Sequence, residues 1–348
     1  MRWKNRPPGS TWGDFGADDQ LGRINLLTAE VVRKGAAEVR EGRSFCLSLP
    51  LDLPGGNVLN ARRQPPRLQP TYREGKPCVN YPMARIDADS LDVLCDDQVT
   101  LSLQYSTQWD SLAHIGARFD ADGDGVAEMV YYNGYRAGIE VHGPIAYSDA
   151  GESGDCPCGG ESSRAEALGI ENMAAHGVQG RGVLVDLQRH FGRERQLVGR
   201  AELLAVMAAD GVVVEPGDML LLRTGFAELI TEMAGQPDAA RLAGSCAVLD
   251  GRDDGLLAWI SDSGIAAICA DNYAVEAYPA RERAGRKSLL PMHHHCLFKL
   301  GLPLGELWYL RDLGEWLHAH QRSRCLLTAP PLRLPGAVGS PTTPIATV

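Results

Sequence analysis

The chain has no run of about 18 apolar residues, so no segment reads as a membrane-spanning helix. Basic residues are in the minority: 34 Lys and Arg stand against 44 Asp and Glu, a formal net charge of −10. That balance would repel phosphate and excludes the footprint of a nucleic-acid binder. No Gly-x-Gly-x-x-Gly follows a strand pattern and no Walker loop occurs, so a nucleotide cofactor is not supported. Cysteine is present, but in no framework. The nine cysteines are an odd number at irregular spacing, and Cys156-Pro-Cys158 lacks a second pair at zinc-finger distance. They read as reduced thiols. The opening residues, Met1-Arg-Trp-Lys-Asn-Arg-Pro-Pro, hold no apolar leader core, and the expected location is cytoplasmic.

The sequence is otherwise ordinary for a globular protein of 348 residues, with 44% hydrophobic and 22% charged content. Buried apolar runs such as Gly182-Val-Leu-Val, Met219-Leu-Leu-Leu and Ile265-Ala-Ala-Ile alternate with amphipathic segments, without internal repeats. This pattern predicts an α/β fold in a single domain over 1–348. Residues 1–27, rich in Trp, Gly and Asp, predict an ordered arm. Residues 52–80 and 149–163 predict long loops, and loops of that length inside a compact domain tend to be lids or interface segments. Arg62 and Arg63 lie in the first of them and are candidates to meet an anionic substrate.

One stretch draws together residues suited to chemistry. From Gln98 to Asp110 the residues alternate, with Val99, Leu101, Leu103, Tyr105, Thr107 and Trp109 on one side. Gln104, Ser106, Gln108 and Asp110 fall on the other, which predicts a continuous strand with one polar face. If Asp110 caps a short helix, His114 stands one turn above it. Further on lie Asp271 at the polar tip of a buried strand, the run His293-His294-His295 at a helix start, and Glu306. His, Asp and Glu are metal ligands and general acids or bases. Three adjacent histidines cannot share one helix face, so at most two serve one site. Asp120-Ala-Asp122-Gly-Asp124-Gly imitates the start of a calcium loop, but its twelfth position is Tyr131 and a turn is the simpler reading.

Seven segments, in order, resemble the cyclase family, which includes bacterial kynurenine formamidase and isatin hydrolase. They are Trp12-Gly-Asp-Phe-Gly-Ala-Asp-Asp-Gln-Leu-Gly, Thr107-Gln-Trp-Asp-Ser-Leu-Ala-His114, Tyr132-Asn-Gly134, Gly180-Arg-Gly-Val-Leu, Gly217 to Gly225, His293 to Glu306, and Pro331 to Pro341. The resemblance implies a β-barrel-like mixed sheet wrapped by helices, and a homodimer or homotetramer in which a neighbour's loops cover the site. It also implies the signature His-x-Gly-Thr-His-x-Asp-x-Pro-x-His, whose first two histidines and aspartate hold a divalent ion with a later histidine and glutamate and whose last histidine is the acid/base. Laid on Asp110, that signature puts Gln104 and Gln108 where its first two histidines belong, while Asp110 and His114 match. His294 or His293 would be the later histidine, and Glu306 the glutamate.

An amide oxygen is a poorer zinc ligand than imidazole, so the two glutamines change the expectation. Three outcomes are open. An ion such as Mn²⁺, Zn²⁺ or Mg²⁺ is held by Asp110, Glu306, a histidine and amide oxygens. Alternatively the site is metal-free, with Gln104 and Gln108 as donors to an oxyanion and His114 as base. In the third case the pocket only binds. The expected activity is hydrolysis of a cyclic amide, lactone or formamide with His114 as general acid/base, and the alternatives are a metal-independent cyclase, lyase or isomerase, or a non-catalytic binder. The expected partner is a small molecule, with Tyr105, Trp109 and Tyr132 suggesting an aromatic one.

Overall fold

The computed structural model describes residues 2–148, 151–155 and 162–348. Among these, nine strands build one mixed sheet: β1 (Ser44–Cys46), β2 (Gln108–Asp110), β3 (Gln179–Asp186), β4 (Met219–Arg223), β5 (Ala267–Ala270), β6 (Leu304–Glu306), β7 (Arg324–Thr328), β8 (Gly339–Pro341) and β9 (Ile345–Thr347). Across the sheet they run β1-β9-β7-β3-β4-β5-β6-β2-β8. The four from β3 to β6 are parallel, and the flanking pairs are antiparallel. The sheet is strongly curled into a half-barrel with helices around it, a single α/β domain as expected.

The apolar runs explain the layering. Val183, Val185, Leu220, Leu222 and Ile268 enter one core, while Leu184, Leu221, Cys269 and Trp109 enter another. Parallel strands covered on both faces need apolar side chains in both directions, so they read as continuous runs. Helix boundaries follow local chemistry. The Thr28 hydroxyl accepts from the Val31 N–H and opens the helix Ala29–Ala36. Asp253 accepts from the Gly255 and Leu256 N–H groups and opens Asp254–Ser263, which stops at Gly264 with φ 68°.

The expected strand from Gln98 to Asp110 is not one strand. Asp97–Thr100 pairs with Arg67–Pro70, residues 101–107 are irregular, and only Gln108–Asp110 joins the main sheet. Ser106 through Asp110 are all buried, so this segment has no solvated face and its alternation does not report one. Residues 67–100 form an arm of short two-stranded ladders with Leu68, Tyr72 and Leu91 exposed. Of the expected loop at 149–163, Gly151–Asp155 pairs with Ile145–Ser148. Residues 149, 150 and 156–161, including Cys156 and Cys158, lie outside the described residues.

The N-terminal arm has a definite task. Pro291–His293 continues into a π-helix, His294–Leu300, whose last carbonyls have no partner within the helix. The arm supplies donors: the Trp12 indole to Phe298, the Thr11 N–H to Lys299, the Thr11 hydroxyl to Leu300, and the Arg23 N–H to Gly301. Gly22 and Gly301 meet so closely that a Cβ at Gly22 would stand 2.1 Å from the Gly301 carbonyl oxygen.

Trp109 and Trp308 lock β2 to the segment after β6. Their rings meet edge to face at 5.2 Å, both fully buried, and the Trp308 indole donates to the Gln108 carbonyl at 3.2 Å. Trp308→Ala is expected to lower stability by about 3–5 kcal/mol through the cavity it leaves. Urea unfolding checks this: the midpoint should fall with little change in slope.

Candidate metal centre and active site

Pleat and register assemble the acids. Gln108 and Asp110 stand two residues apart on β2 and share a face, and Glu306 on β6 is directly opposite Gln108. The Gln108 amide nitrogen donates to Asp110 Oδ1 at 3.3 Å and to Glu306 Oε2 at 3.2 Å. Both amide hydrogens are thereby committed, so Gln108 is not a donor to an oxyanion, contrary to one expectation.

His293 completes the cluster. Its Nε2 is 3.2 Å from Glu306 Oε1 and 3.8 Å from Asp110 Oδ2, while its Nδ1 is 2.8 Å from Glu276 Oε1. Glu276 also accepts from the Met292 and His293 backbone N–H groups, each at 2.9 Å. With Nδ1–H donated to Glu276, Nε2 is the nitrogen that faces the two acids. Successive residues of a helix point in different directions, and the other two histidines leave the site. The His294 ring packs 5.0 Å from Phe298, and burial pushes its pKa down to about 4. His295 Nε2 lies 2.9 Å from the Ser261 hydroxyl. His293 is therefore the histidine that joins the acid cluster, and His294 is not.

Gln104 also stands apart. Its amide nitrogen lies against Gly339, where a Cβ would come within 2.4 Å, and it makes no side-chain hydrogen bond to the cluster among the described residues. His114 is at the site but on a turn, its N–H bonded to the Ser111 carbonyl, not on a helix. Its Nε2 is 3.9 Å from Asp110 Oδ1, too far for a hydrogen bond, so Asp110 does not orient it by one. Asp271 accepts from the Thr224 N–H, the Thr224 hydroxyl and the Gly225 N–H, and so holds a turn outside the cluster. In the Asp120 loop, Arg136 bonds Asp122 and Glu128, while the Asp120 carboxylate is spent on three backbone N–H groups.

Sequence reasoning missed Glu276. The available signal was a lone carboxylate in an apolar stretch, Ala274-Val-Glu-Ala-Tyr278, just past a strand tip. The backbone there is strained: Ala274 and Val275 have φ of 72° and 58°, a region that a β-branched residue rarely enters. This turn carries Glu276 back under His293.

Three carboxylates, Asp110, Glu276 and Glu306, are thus buried around one buried imidazole. Burial pushes the Asp110 pKa up, against partial relief from His114 and His293. For Glu306 burial is outweighed by the His293 bond and charge, and the pKa moves down. Burial opposes charge on His293 too, yet the two glutamates push its pKa up to about 10. Asp110 Oδ2 and Gln108 Oε1 are buried without any hydrogen-bond partner. One ligand atom each from Asp110, His293 and Glu306 lies within 4.8 Å of the others. Two carboxylates, one with an unsatisfied oxygen, an imidazole nitrogen and the unsatisfied Gln108 amide oxygen fit a divalent cation. The cluster opens into a cavity of about 350 Å³ lined by Asn60, Arg63, His114, Tyr273, His293 and Glu306. The expected loop at 52–80 therefore reaches its own chain's site.

A curled mixed sheet bearing a buried acid–histidine cluster on its β6–β2 side defines the class. The family model for cyclases, described as "Putative cyclase", matches residues 46–277, and the chain belongs to that family. A solved structure titled as a novel cyclase is 30% identical, with 99% of this chain and 100% of that chain covered at a TM-score of 0.72. Isatin hydrolase A from Labrenzia aggregata, bound to benzyl benzoate, is 13% identical over 87% of this chain and 93% of its own, with a TM-score of 0.53. Isatin hydrolase A from Ralstonia solanacearum gives 14%, 87%, 91% and 0.52 in the same order. A search of curated proteins returns no match.

Glu276→Gln should weaken Mn²⁺ binding about tenfold or more, because a carboxylate behind a ligating histidine fixes its tautomer and raises its basicity. Calorimetric titration of the metal-stripped protein checks this, with circular dichroism to establish that the fold is kept.

Proposed function

We propose that the protein is a metal-dependent hydrolase of a cyclic amide, lactone or formamide. The observation that carries this reading is the buried Asp110–His293–Glu306 group with its unpartnered oxygens, facing a cavity that His114 also lines. Asp110, His293 and Glu306 would hold the cation, with the Gln108 amide oxygen as a further donor. When bound, a divalent cation supplies Lewis acidity at a carbonyl. One imidazole among mostly oxygen donors favours Mn²⁺ or Mg²⁺ over Zn²⁺.

The chain's own residues supply the rest. His114 sits at the cavity edge with its side chain 20% exposed, so it can exchange protons with solvent and still reach the substrate. It removes the proton from the attacking water and returns it to the leaving nitrogen or oxygen. Gln108 keeps Asp110 and Glu306 at a fixed separation, and Glu276 holds the His293 ring.

Protein purified without a chelator or a histidine tag is expected to carry about one equivalent of metal by elemental mass spectrometry, lost in Asp110→Ala. Screening formamides, lactones and cyclic amides should then find a substrate. On it His114→Ala should lower kcat by about 10²–10⁴ while keeping the metal. Wild-type turnover in that variant would overturn the acid/base assignment, and a metal-free, chelator-insensitive enzyme would overturn the metal-dependent reading.

A further inference from the structure

We propose that the substrate carries an anionic group, a carboxylate in the simplest case, besides its scissile bond, and that Arg63 receives it; this rests on the hydrolase reading above. The cavity is polarised. Its floor is acidic, with Glu306 beside His293, and its wall also carries Arg62 and Arg63, the Arg63 charge being felt by Asp110 and Glu306. Neither arginine forms an ion pair with an acid among the described residues. Arg62 Nε donates to Asn60 Oδ1 at 3.3 Å, and Arg63 spends only Nη1, on the Gln104 carbonyl at 2.6 Å. That bond fixes the Arg63 guanidinium and leaves its other N–H groups without a hydrogen-bond partner among the described residues. The buried Arg181 and Arg223 differ in this, each being bonded to carboxylates.

The wall is also flat. The Arg63 guanidinium stands 5.9 Å over the Tyr273 ring, whose hydroxyl accepts from the Asn60 amide at 3.4 Å. A planar guanidinium with free donors matches a carboxylate in two-point geometry, and a ring face beside it suits a planar ligand body. The fit is thus to a flat molecule with its reacting carbonyl at the acid floor and its carboxylate at the arginine wall. The loop that holds Arg63 is tied down independently, by the Tyr105 hydroxyl donating to the Gly56 carbonyl at 2.8 Å.

The test uses a matched pair of formamides, 4-formamidobenzoate and its neutral N-methylamide, with the Mn²⁺-loaded full chain. Wild type should prefer the anion by roughly tenfold or more in kcat/KM, the size of a charge-assisted pair. In Arg63→Gln the preference should collapse to within about twofold. Arg63→Lys, which keeps the charge without the fork, should retain part of it. The ratio is taken within each variant, so loss of folded protein cancels. Binding of benzoate and of benzamide to the same proteins is measured alongside by calorimetry. If neither formamide turns over but benzoate binding still weakens tenfold in Arg63→Gln, the anion site stands and the hydrolase reading loses this support. Turnover without charge preference, a preference untouched in Arg63→Gln, or benzoate binding indifferent to Arg63 would each overturn the anion site.

Discussion

Charge is the constraint around which this molecule is arranged. Asp110, Glu276 and Glu306 are all buried, and among the described residues the buried group that pairs with them is His293, while Arg63 and His114 act on Asp110 and Glu306 through their charge alone. Ionised carboxylates away from water need neutralisation, and one imidazole does not neutralise three acids. Asp110 shows the deficit as a raised pKa and an unbonded oxygen. A divalent cation between Asp110, His293 and Glu306 would remove it, while Glu276 works through Nδ1 of the histidine and two backbone N–H groups.

The fold can be followed outward from that cluster. Antiparallel register between β2 and β6 sets Gln108 opposite Glu306, and the Trp109–Trp308 contact on the reverse face fixes that register. A slip of one residue would turn Asp110 and Gln108 to the other side of the sheet. His293 comes from a different direction, at the head of a π-helix whose far end is fastened by the N-terminal arm. Glu276 is delivered by two left-handed residues, a strained turn of the kind that persists where surrounding structure over-determines it. Four separate segments thus meet within one cluster, and each has its own physical anchor.

Much of the scaffold was legible in the sequence because its signals are local. The apolar runs of β3, β4 and β5 each depend on a few neighbouring residues. Asp110, His114, His293 and Glu306 were legible as chemistry-bearing types, and the family resemblance grouped them. The rest depended on contacts that spacing does not encode. Whether His293 or His294 faces the acids is decided by where the helix begins relative to Glu276. The strand expected from Gln98 to Asp110 failed because its ends pair in different sheets, Asp97–Thr100 exposed on both faces and Gln108–Asp110 buried on both, so alternation reports neither. Glu276 was invisible because its partner is brought to it by a backbone turn, not by a motif.

The two glutamines that replace histidines in the signature end in different places, and this bears on the chemistry. Gln104 withdraws against Gly339 and contributes no side chain to the cluster. Gln108 stays, and its amide nitrogen bridges the two acids that would otherwise repel each other, leaving its oxygen free. An imidazole at that position could donate one N–H to one acid, not two hydrogens to both. The amide therefore trades a strong ligand for a spacer that holds Asp110 and Glu306 in place without adding charge. A site so built has one nitrogen and several oxygens to offer, which is the donor balance of a harder ion.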